Sequence, residues 1–376
     1  MSENVSEWVD SWQDVQESDI AKVGELLRQG GLSIVDGSIL NLFEERFASY
    51  MGCKYGVAFS NGTTAIHYAL RAVGVGPGDE VLVCNYGFHA MAAAVLALGA
   101  RVVICDCDSQ AMTISPDDIR RFKTAKTKAV LVHNPWGVPA DYSNIKDSAA
   151  GVPIVSDGSH AHGASYKKTP LGTWADLTAY SLGLTKLISG GELGCVVTDN
   201  LQYRDRLLIF GHVNRVPQAL LSDEWQHNAV GLKSRPHPVG LMLALCQLAR
   251  FEEKLKLMQV TAHRLEQYLG QLGLKPQVTS WDSQRVWWRI VSMAVTEQEA
   301  TVVADILSGA GVPVERNHYC PLLQDQPIFS WPGYHDLLRR SDTPVCDGLM
   351  RRLVTIPAPV TLSERLLERI ERQIGI

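Results

Sequence analysis

Between Val57 and Thr198, short apolar runs alternate with helical periodicity, and few folds accommodate that alternation. The apolar runs lie near 57–59, 80–84, 101–105, 128–132, 153–156, 177–180 and 194–198. Helical patterns fill intervals near 63–73, 88–98, 116–122 and 142–149. Strands apolar on both faces and separated by helices predict an α/β fold, with a mostly parallel central sheet sandwiched by helices. In such sheets ligands gather beyond the carboxyl ends of the strands. Ser60-Asn61-Gly62, Asn85-Tyr86, Asp157 and Ser181 each follow a strand, so they are expected to converge on one edge.

The flanks are less regular. Residues 1–17 are polar and acidic, with Trp8 and Trp12, and read as a mobile arm or a segment that docks elsewhere. Asp19 to Arg28 has helical periodicity, with Asp19 as its cap and Gly30-Gly31 as its stop. Ser38 to Tyr50 places Leu40, Phe43, Phe47 and Tyr50 on one helix face. Pro236-His237-Pro238 breaks the chain, and Val239 to Leu272 then reads as long helix. A domain boundary is expected here. Residues 1–237 would form the arm and the large domain, and 238–376 a smaller C-terminal α/β domain. The smaller domain is expected to have strands at 286–291 and 312–314 and helices at 298–310 and 362–374.

The stretch that carries chemistry is Asp176 to Gly194, DLTAYSLGLTKLISGGELG. An apolar, aromatic strand gives way to Ser181, Gly183 and Thr185, then Lys186, before Ser189-Gly190-Gly191 turns the chain. A lysine between two core strands is dehydrated, which disfavours the ammonium form and makes the amine a better nucleophile. Such an amine can form a Schiff base with an aldehyde. The plain alternative is that Lys186 solvates a loop. Val152 to Asp157 is an apolar strand ending in a carboxylate. Gly62 and Thr63 open a helix directly after a strand, where backbone N–H groups suit a phosphate, although a glycine turn capped by Thr63 would look the same. Tyr86-Gly87-Phe88 supplies rings after another strand. A phosphate site, a stacking ring, a carboxylate and a lysine are the parts of a pyridoxal phosphate pocket.

Five motifs, in order and spacing, carry a specific resemblance: SNGTTAIHYAL (Ser60–Leu70), GVGPGDEVLV (Gly74–Val83), WGVPAD (Trp136–Asp141), SDGSHAHGASY (Ser156–Tyr166) and YSLGLTK (Tyr180–Lys186). From about Leu27 to the C-terminus the chain resembles the DegT/DnrJ/EryC1/StrS family of sugar aminotransferases. The resemblance implies the fold-type-I aminotransferase fold, pyridoxal 5'-phosphate (PLP, alternating with its amine form PMP) as cofactor, and a homodimer whose subunits share a pocket. It implies that Lys186 holds the cofactor and moves the proton. Asp157 would sit at the pyridine nitrogen and keep the ring protonated. Ser181 would join Gly62 and Thr63 on the phosphate. Phe88 would stack on the ring, with Tyr86 or simple core packing as the alternatives. Two positions depart from the family pattern. His160 stands where glutamine usually bonds the ring hydroxyl, a bond that an imidazole can also make. Lys233 stands where an asparagine reaches the neighbouring subunit's phosphate, so it would contact that phosphate electrostatically or lie on the surface.

The function so implied moves an amino group from glutamate or glutamine to an oxo sugar, cyclitol or related sugar-containing precursor, in secondary metabolism or sugar-antibiotic biosynthesis. One competing class is a sugar dehydratase, whose members typically carry histidine in place of the lysine. Another is a non-catalytic sensor on the same fold, against which Asp157 and Lys186 together argue. The net charge of −5 and the lack of basic runs exclude a nucleic-acid partner. No apolar run approaches the ~20 residues of a membrane span, and the acidic N-terminus lacks a secretory apolar core. Eight scattered cysteines without C-x-x-C spacing suggest neither zinc nor disulfides, and Cys105 and Cys107 are expected on one buried face. His160 and His162 have no evident third metal ligand. A cytoplasmic protein is expected. Substrate contacts are expected from loops near Ser33–Ser38, Trp136, Asn214–His227 and His318-Tyr319.

Overall fold

The computed structural model describes residues 8–10, 14–33, 38–215, 221–228, 230–316 and 318–375. The chain begins with β1 (Trp8–Asp10), α1 (Glu17–Arg28) and α2 (Ser38–Tyr50). The alternating core follows as β2 (Tyr55–Phe59), α3 (Gly62–Ala72), β3 (Glu80–Cys84), α4 (Ala90–Leu96), β4 (Arg101–Cys105), α5 (Pro116–Phe122), β5 (Thr127–His133), α6 (Tyr142–Ala149) and β6 (Ile154–Asp157). Two short strands, β7 (Ser165–Tyr166) and β8 (Thr169–Pro170), precede β9 (Leu177–Ser181), β10 (Gly194–Thr198) and α7 (Leu201–Gly211). Then come α8 (Pro238–Leu248), α9 (Phe251–Gln271), β11 (Lys275–Pro276), β12 (Ser283–Gln284), β13 (Arg289–Met293), α10 (Glu297–Gly309) and β14 (Glu315–Arg316). The chain closes with β15 (Leu338–Arg339), α11 (Pro344–Arg352), β16 (Leu353–Pro357), β17 (Pro359–Leu362) and α12 (Glu364–Ile374).

Among the described residues the large sheet has eight strands in the order β15-β4-β3-β5-β6-β9-β10-β2. Its neighbours pair in parallel except around β10, which runs antiparallel to both β9 and β2. Two antiparallel steps return β2 to the common direction, so its carboxyl end joins the edge formed by β3, β5, β6 and β9. The strands bury both faces, which explains their unbroken apolar sequences. In β3, Leu82 and Cys84 enter one core while Val81 and Val83 enter the other. Each buried Leu or Val contributes roughly 1.5–3 kcal/mol. All seven expected strands form. The eighth, β15, adds two residues parallel to β4 and is too short to show a periodicity.

The flanks correct several expectations. Gln16, not Asp19, is the residue before α1; Asp19 lies inside the first turn, accepts the Gln16 N–H at 3.1 Å and pairs with Arg250 at 2.7 Å. The long helix expected from Val239 breaks at Ala249-Arg250, so that α8 packs on α2 while α9 packs on β17. The strand expected at 286–291 runs from Arg289 to Met293, because Val286 is engaged by Gly137 instead. The strand expected at 312–314 is shifted to Glu315–Arg316. Residues 359–362, partly assigned to the last helix, form β17. That strand pairs with β1, so part of the acidic arm is docked. Trp12 and residues 34–37 and 216–220 of the expected substrate loops lie outside the described residues.

A second sheet, β11-β13-β16-β14, is antiparallel throughout. Cys105 and Cys107 are buried in the same core. Cys107 and Cys346 meet beside Asp106, whose carboxylate accepts the N–H groups of Cys107, Val345 and Cys346. No helix among the described residues is long and apolar enough to cross a membrane.

Candidate active site

A cavity of about 480 Å³ lies at the carboxyl edge of the large sheet. Of the eight candidate residues, Gly62, Thr63, Phe88, Asp157, His160, Ser181 and Lys186 line it, and Lys233 does not. The start of α3 forms one wall. Asn61 caps that helix, its side chain accepting the Thr64 N–H at 2.9 Å and its carbonyl the Ala65 N–H at 3.0 Å. The N–H groups of Gly62 and Thr63 remain at the open end, where the helix dipole favours an anion. Gly62 is pressed against the end of β9: a Cβ there would stand 2.4 Å from Ser181 Cβ. The absent side chain therefore brings the helix terminus and the Ser181 hydroxyl together. Ser181 is fixed in turn by its N–H, which donates to Ser159 Oγ at 2.8 Å.

Asp157 ends β6, beside His133 at the end of β5. One Asp157 oxygen accepts the Ser159 N–H at 2.9 Å. Burial pushes its carboxyl above the usual range, against the pull of Ser159 and Lys186. Lys186 follows the turn after β9, its N–H bonded to Gly183 O at 3.0 Å. It is half-buried against the cavity rather than enclosed in the core. Burial still lowers its amine to about 8; Asp157 opposes that shift and Arg289 adds to it. The lysine and the carboxylate expected from sequence thus share one water-poor space and influence each other's protons.

The opposite wall is aromatic. Trp136 has a φ of 63° and Gly137 one of 94°. A Cβ on Gly137 would stand 2.1 Å from Val286 O, and the Val286 N–H donates to Gly137 O at 3.1 Å. This close approach brings the start of β13 to the cavity. The Trp288 indole then lies with its centroid 4.4 Å from Lys186 Nζ and donates to Thr185 O at 2.7 Å. His160 stacks on Trp288 at 3.6 Å and is kept well below its ordinary pKa, first by burial and then by Lys186. Its Nδ1 accepts the Trp136 N–H at 3.4 Å, so the ring stays neutral. Phe88 is 47% exposed, with Tyr319 beside it at 6.4 Å. Tyr86, the alternative stacking ring, is fully buried behind Tyr319.

Sequence reasoning missed Trp288, Arg289, His133 and Glu192, all of which line the cavity. His133 could have been found, because it ends the strand next to the one that ends in Asp157. Trp288 and Arg289 carry no local signal, since a contact between distant segments delivers them. His318 and Tyr319 line the cavity from a loop already singled out. Lys233 is exposed, its backbone bridging to His212. His162 is buried near Phe47 and Tyr180 and is pushed down to about 3 by burial.

The donor set fits pyridoxal phosphate. It provides an anion cradle that a Cβ would fill, a half-buried carboxyl for a ring nitrogen, an exposed aromatic plate and an amine of lowered proton affinity. A fold of this kind with such a cavity defines the class as aminotransferase-like. The model of the DegT/DnrJ/EryC1/StrS aminotransferase family matches residues 13–374, and the chain belongs to that family. It is similar to the L-glutamine:2-deoxy-scyllo-inosose aminotransferase of Streptomyces fradiae, with 29% identity over 89% of this chain and 86% of that protein. GDP-perosamine synthase of Caulobacter vibrioides is 31% identical over 89% of this chain and 88% of its own length. Among solved structures, the aminotransferase from Psychrobacter cryohalolentis superposes with a TM-score of 0.89 over 98% of both chains at 22% identity.

Proposed function

We propose that this protein is a PLP-dependent aminotransferase that carries an amino group from glutamate or glutamine to an oxo sugar, cyclitol or related sugar-containing precursor. The observation that carries the reading is Lys186 and Asp157 in one cavity under the open end of α3. When bound there, the cofactor supplies an electron-poor ring that stabilises negative charge on the substrate carbon. The N–H groups of Gly62 and Thr63 and the Ser181 hydroxyl hold its phosphate. Asp157 keeps a proton on the ring nitrogen, Phe88 covers one ring face and neutral His160 bonds the ring hydroxyl. With an amine near 8, Lys186 Nζ can take the proton from the donor's amino-bearing carbon and later return one. The protein works as a cytoplasmic homodimer in which Lys233, exposed in the single chain, reaches the partner subunit's phosphate.

The acceptor class is supported by the relatives, one named for a scyllo-inosose and the other for GDP-perosamine. The test is to mix the protein with PLP and L-glutamate or L-glutamine, then with a panel of oxo sugars and cyclitols, and weigh the products. A gained amine with release of a 2-oxo acid is expected. Loss of water without a gained amine would indicate the dehydratase reading. Wild-type turnover by Lys186→Ala would refute the proposal.

A further inference from the structure

Three segments of the chain bring sulfur and oxygen donors to one point at the carboxyl edge of the large sheet. Cys84 ends β3, Asp106 and Cys107 follow β4, and Cys346 lies in the first turn of α11. One ligand atom from each of Asp106, Cys107 and Cys346 lies within 4.8 Å of the other two. Cys84, in register with Cys105 on the neighbouring strand, brings a third sulfur that interacts with both thiols. All four residues are buried, none more than 8% exposed.

Thiols alone pack well as small apolar groups. The carboxylate sets this group apart. Among the described residues no cation lies within ion-pair distance of Asp106. A buried charge without a cation is costly. N–H donors hold the carboxylate beside the sulfurs: one oxygen accepts those of Cys107 at 2.8 Å and Cys346 at 2.9 Å, and the other that of Val345 at 2.9 Å. The positive end of α11 therefore faces the group and suits the negative charge that metal-bound thiolates collect. Hydrogen bonds from Cys346 and Cys84 draw the Cys107 thiol below its usual pKa, toward the thiolate that binds metal. The Tyr86 hydroxyl, fully buried and without a partner, lies within electrostatic reach of the same three sulfurs.

We propose that Cys84, Asp106, Cys107 and Cys346 form a closed structural site for a thiophilic divalent cation, best suited to zinc. Three sulfurs disfavour magnesium and calcium, which take oxygen ligands, and the carboxylate disfavours copper(I). In a tetrahedral zinc site with sulfurs at about 2.3 Å, neighbouring sulfurs stand about 3.8 Å apart, within the spacing found here. Four protein ligands leave no open position, so the ion is structural. It ties the ends of β3 and β4 to α11. Tyr86, two residues beyond Cys84, packs at 5.3 Å on Tyr319 of the cavity wall. No spacing in the sequence announces the site, because positions 84, 106–107 and 346 meet only in the fold, and this revises the expectation of no zinc. For the same reason the ion enters as the chain folds rather than through the finished core.

The full-length protein is expressed in medium supplied with zinc and dialysed, and its metal is measured by plasma mass spectrometry. A stoichiometric zinc is expected in the wild type. It should fall by at least about tenfold in Cys107→Ala and in Cys346→Ala, and stay unchanged in Cys53→Ala, a buried cysteine outside the group. If an alanine variant fails to fold, the wild type still decides. X-ray absorption at the zinc edge should show three sulfurs at about 2.3 Å and one oxygen at about 2.0–2.2 Å. A wild type without bound metal, a shell with fewer sulfurs, or metal retained by both folded variants overturns the proposal. So does a Cys107–Cys346 disulfide in the purified protein, read by mass after thiol alkylation. None of these outcomes depends on amino transfer, so the functional reading above is tested separately.

Discussion

Gly62→Ala tests the cofactor cradle with a single methyl group. The added Cβ would stand 2.4 Å from Ser181 Cβ and 2.9 Å from both its Cα and its Oγ. Carbon atoms in contact rest about 3.5–4.0 Å apart, so α3 and the end of β9 must separate by about 1 Å. No rotamer change absorbs this, because the nearest atoms belong to two backbone-fixed elements, α3 and a strand paired on both sides. Overpacking of this kind costs about 1–3 kcal/mol of stability. The same shift moves the Gly62 and Thr63 N–H groups away from the Ser181 hydroxyl, so one anion cannot reach both. Losing one charge-assisted hydrogen bond costs about 1.5–3 kcal/mol, equivalent to roughly 10- to 150-fold weaker PLP binding. Urea unfolding with an unchanged slope measures the first effect, and absorbance titration with PLP the second. Adding Ser181→Gly removes both the Cβ and the Oγ that clash. Most of the stability should then return, but not the affinity, because the hydroxyl is gone. A Gly62→Ala protein with wild-type stability and wild-type PLP affinity would show that the close approach is not needed.

Lys186 should give a pH signature. Its amine lies near 8 when folded and about 10.4 when unfolded. Between those values the unfolded chain binds more protons, so stability should rise with pH across that window and lose this contribution in Lys186→Met. Urea midpoints taken at several pH values check the slope, and an identical profile for the two proteins would contradict the assignment. Away from the site, Glu44 accepts the Ala58 N–H at 2.7 Å and is paired with Arg215, both side chains being buried. Burial pushes the Glu44 carboxyl up and Arg215 holds it down. Arg215→Met should cost about 3–5 kcal/mol near neutral pH, with the deficit shrinking as the pH falls and Glu44 takes up a proton; urea unfolding at two pH values measures both.

The sheet was legible because its strands are buried on both faces, so Val81–Val83 and Val102–Ile104 have no choice of environment. The carboxyl-edge residues were legible for the same reason: strand ends in a parallel sheet fix where Ser60, Asp157 and Ser181 emerge. The helix break at Ala249-Arg250 was not, because local propensity runs straight through it and only packing on α2 and β17 divides it. Nor was the role of Asp19, which serves Arg250, a residue 231 positions away in sequence. The aromatic wall escaped because Trp288 and Arg289 look like ordinary residues beginning a strand. The close contact of Gly137 with Val286 turns them toward the cavity, and no periodicity encodes a contact between segments so far apart.

The charges in the cavity act on one another, and that bears on the reactivity of Lys186. Burial moves both Lys186 and Asp157 toward their neutral forms, and each partly restores the charge of the other. Arg289 pulls the opposite way on Lys186, depressing its amine further. The amine is thereby held closer to neutral than a free lysine and is better suited to attack an aldehyde.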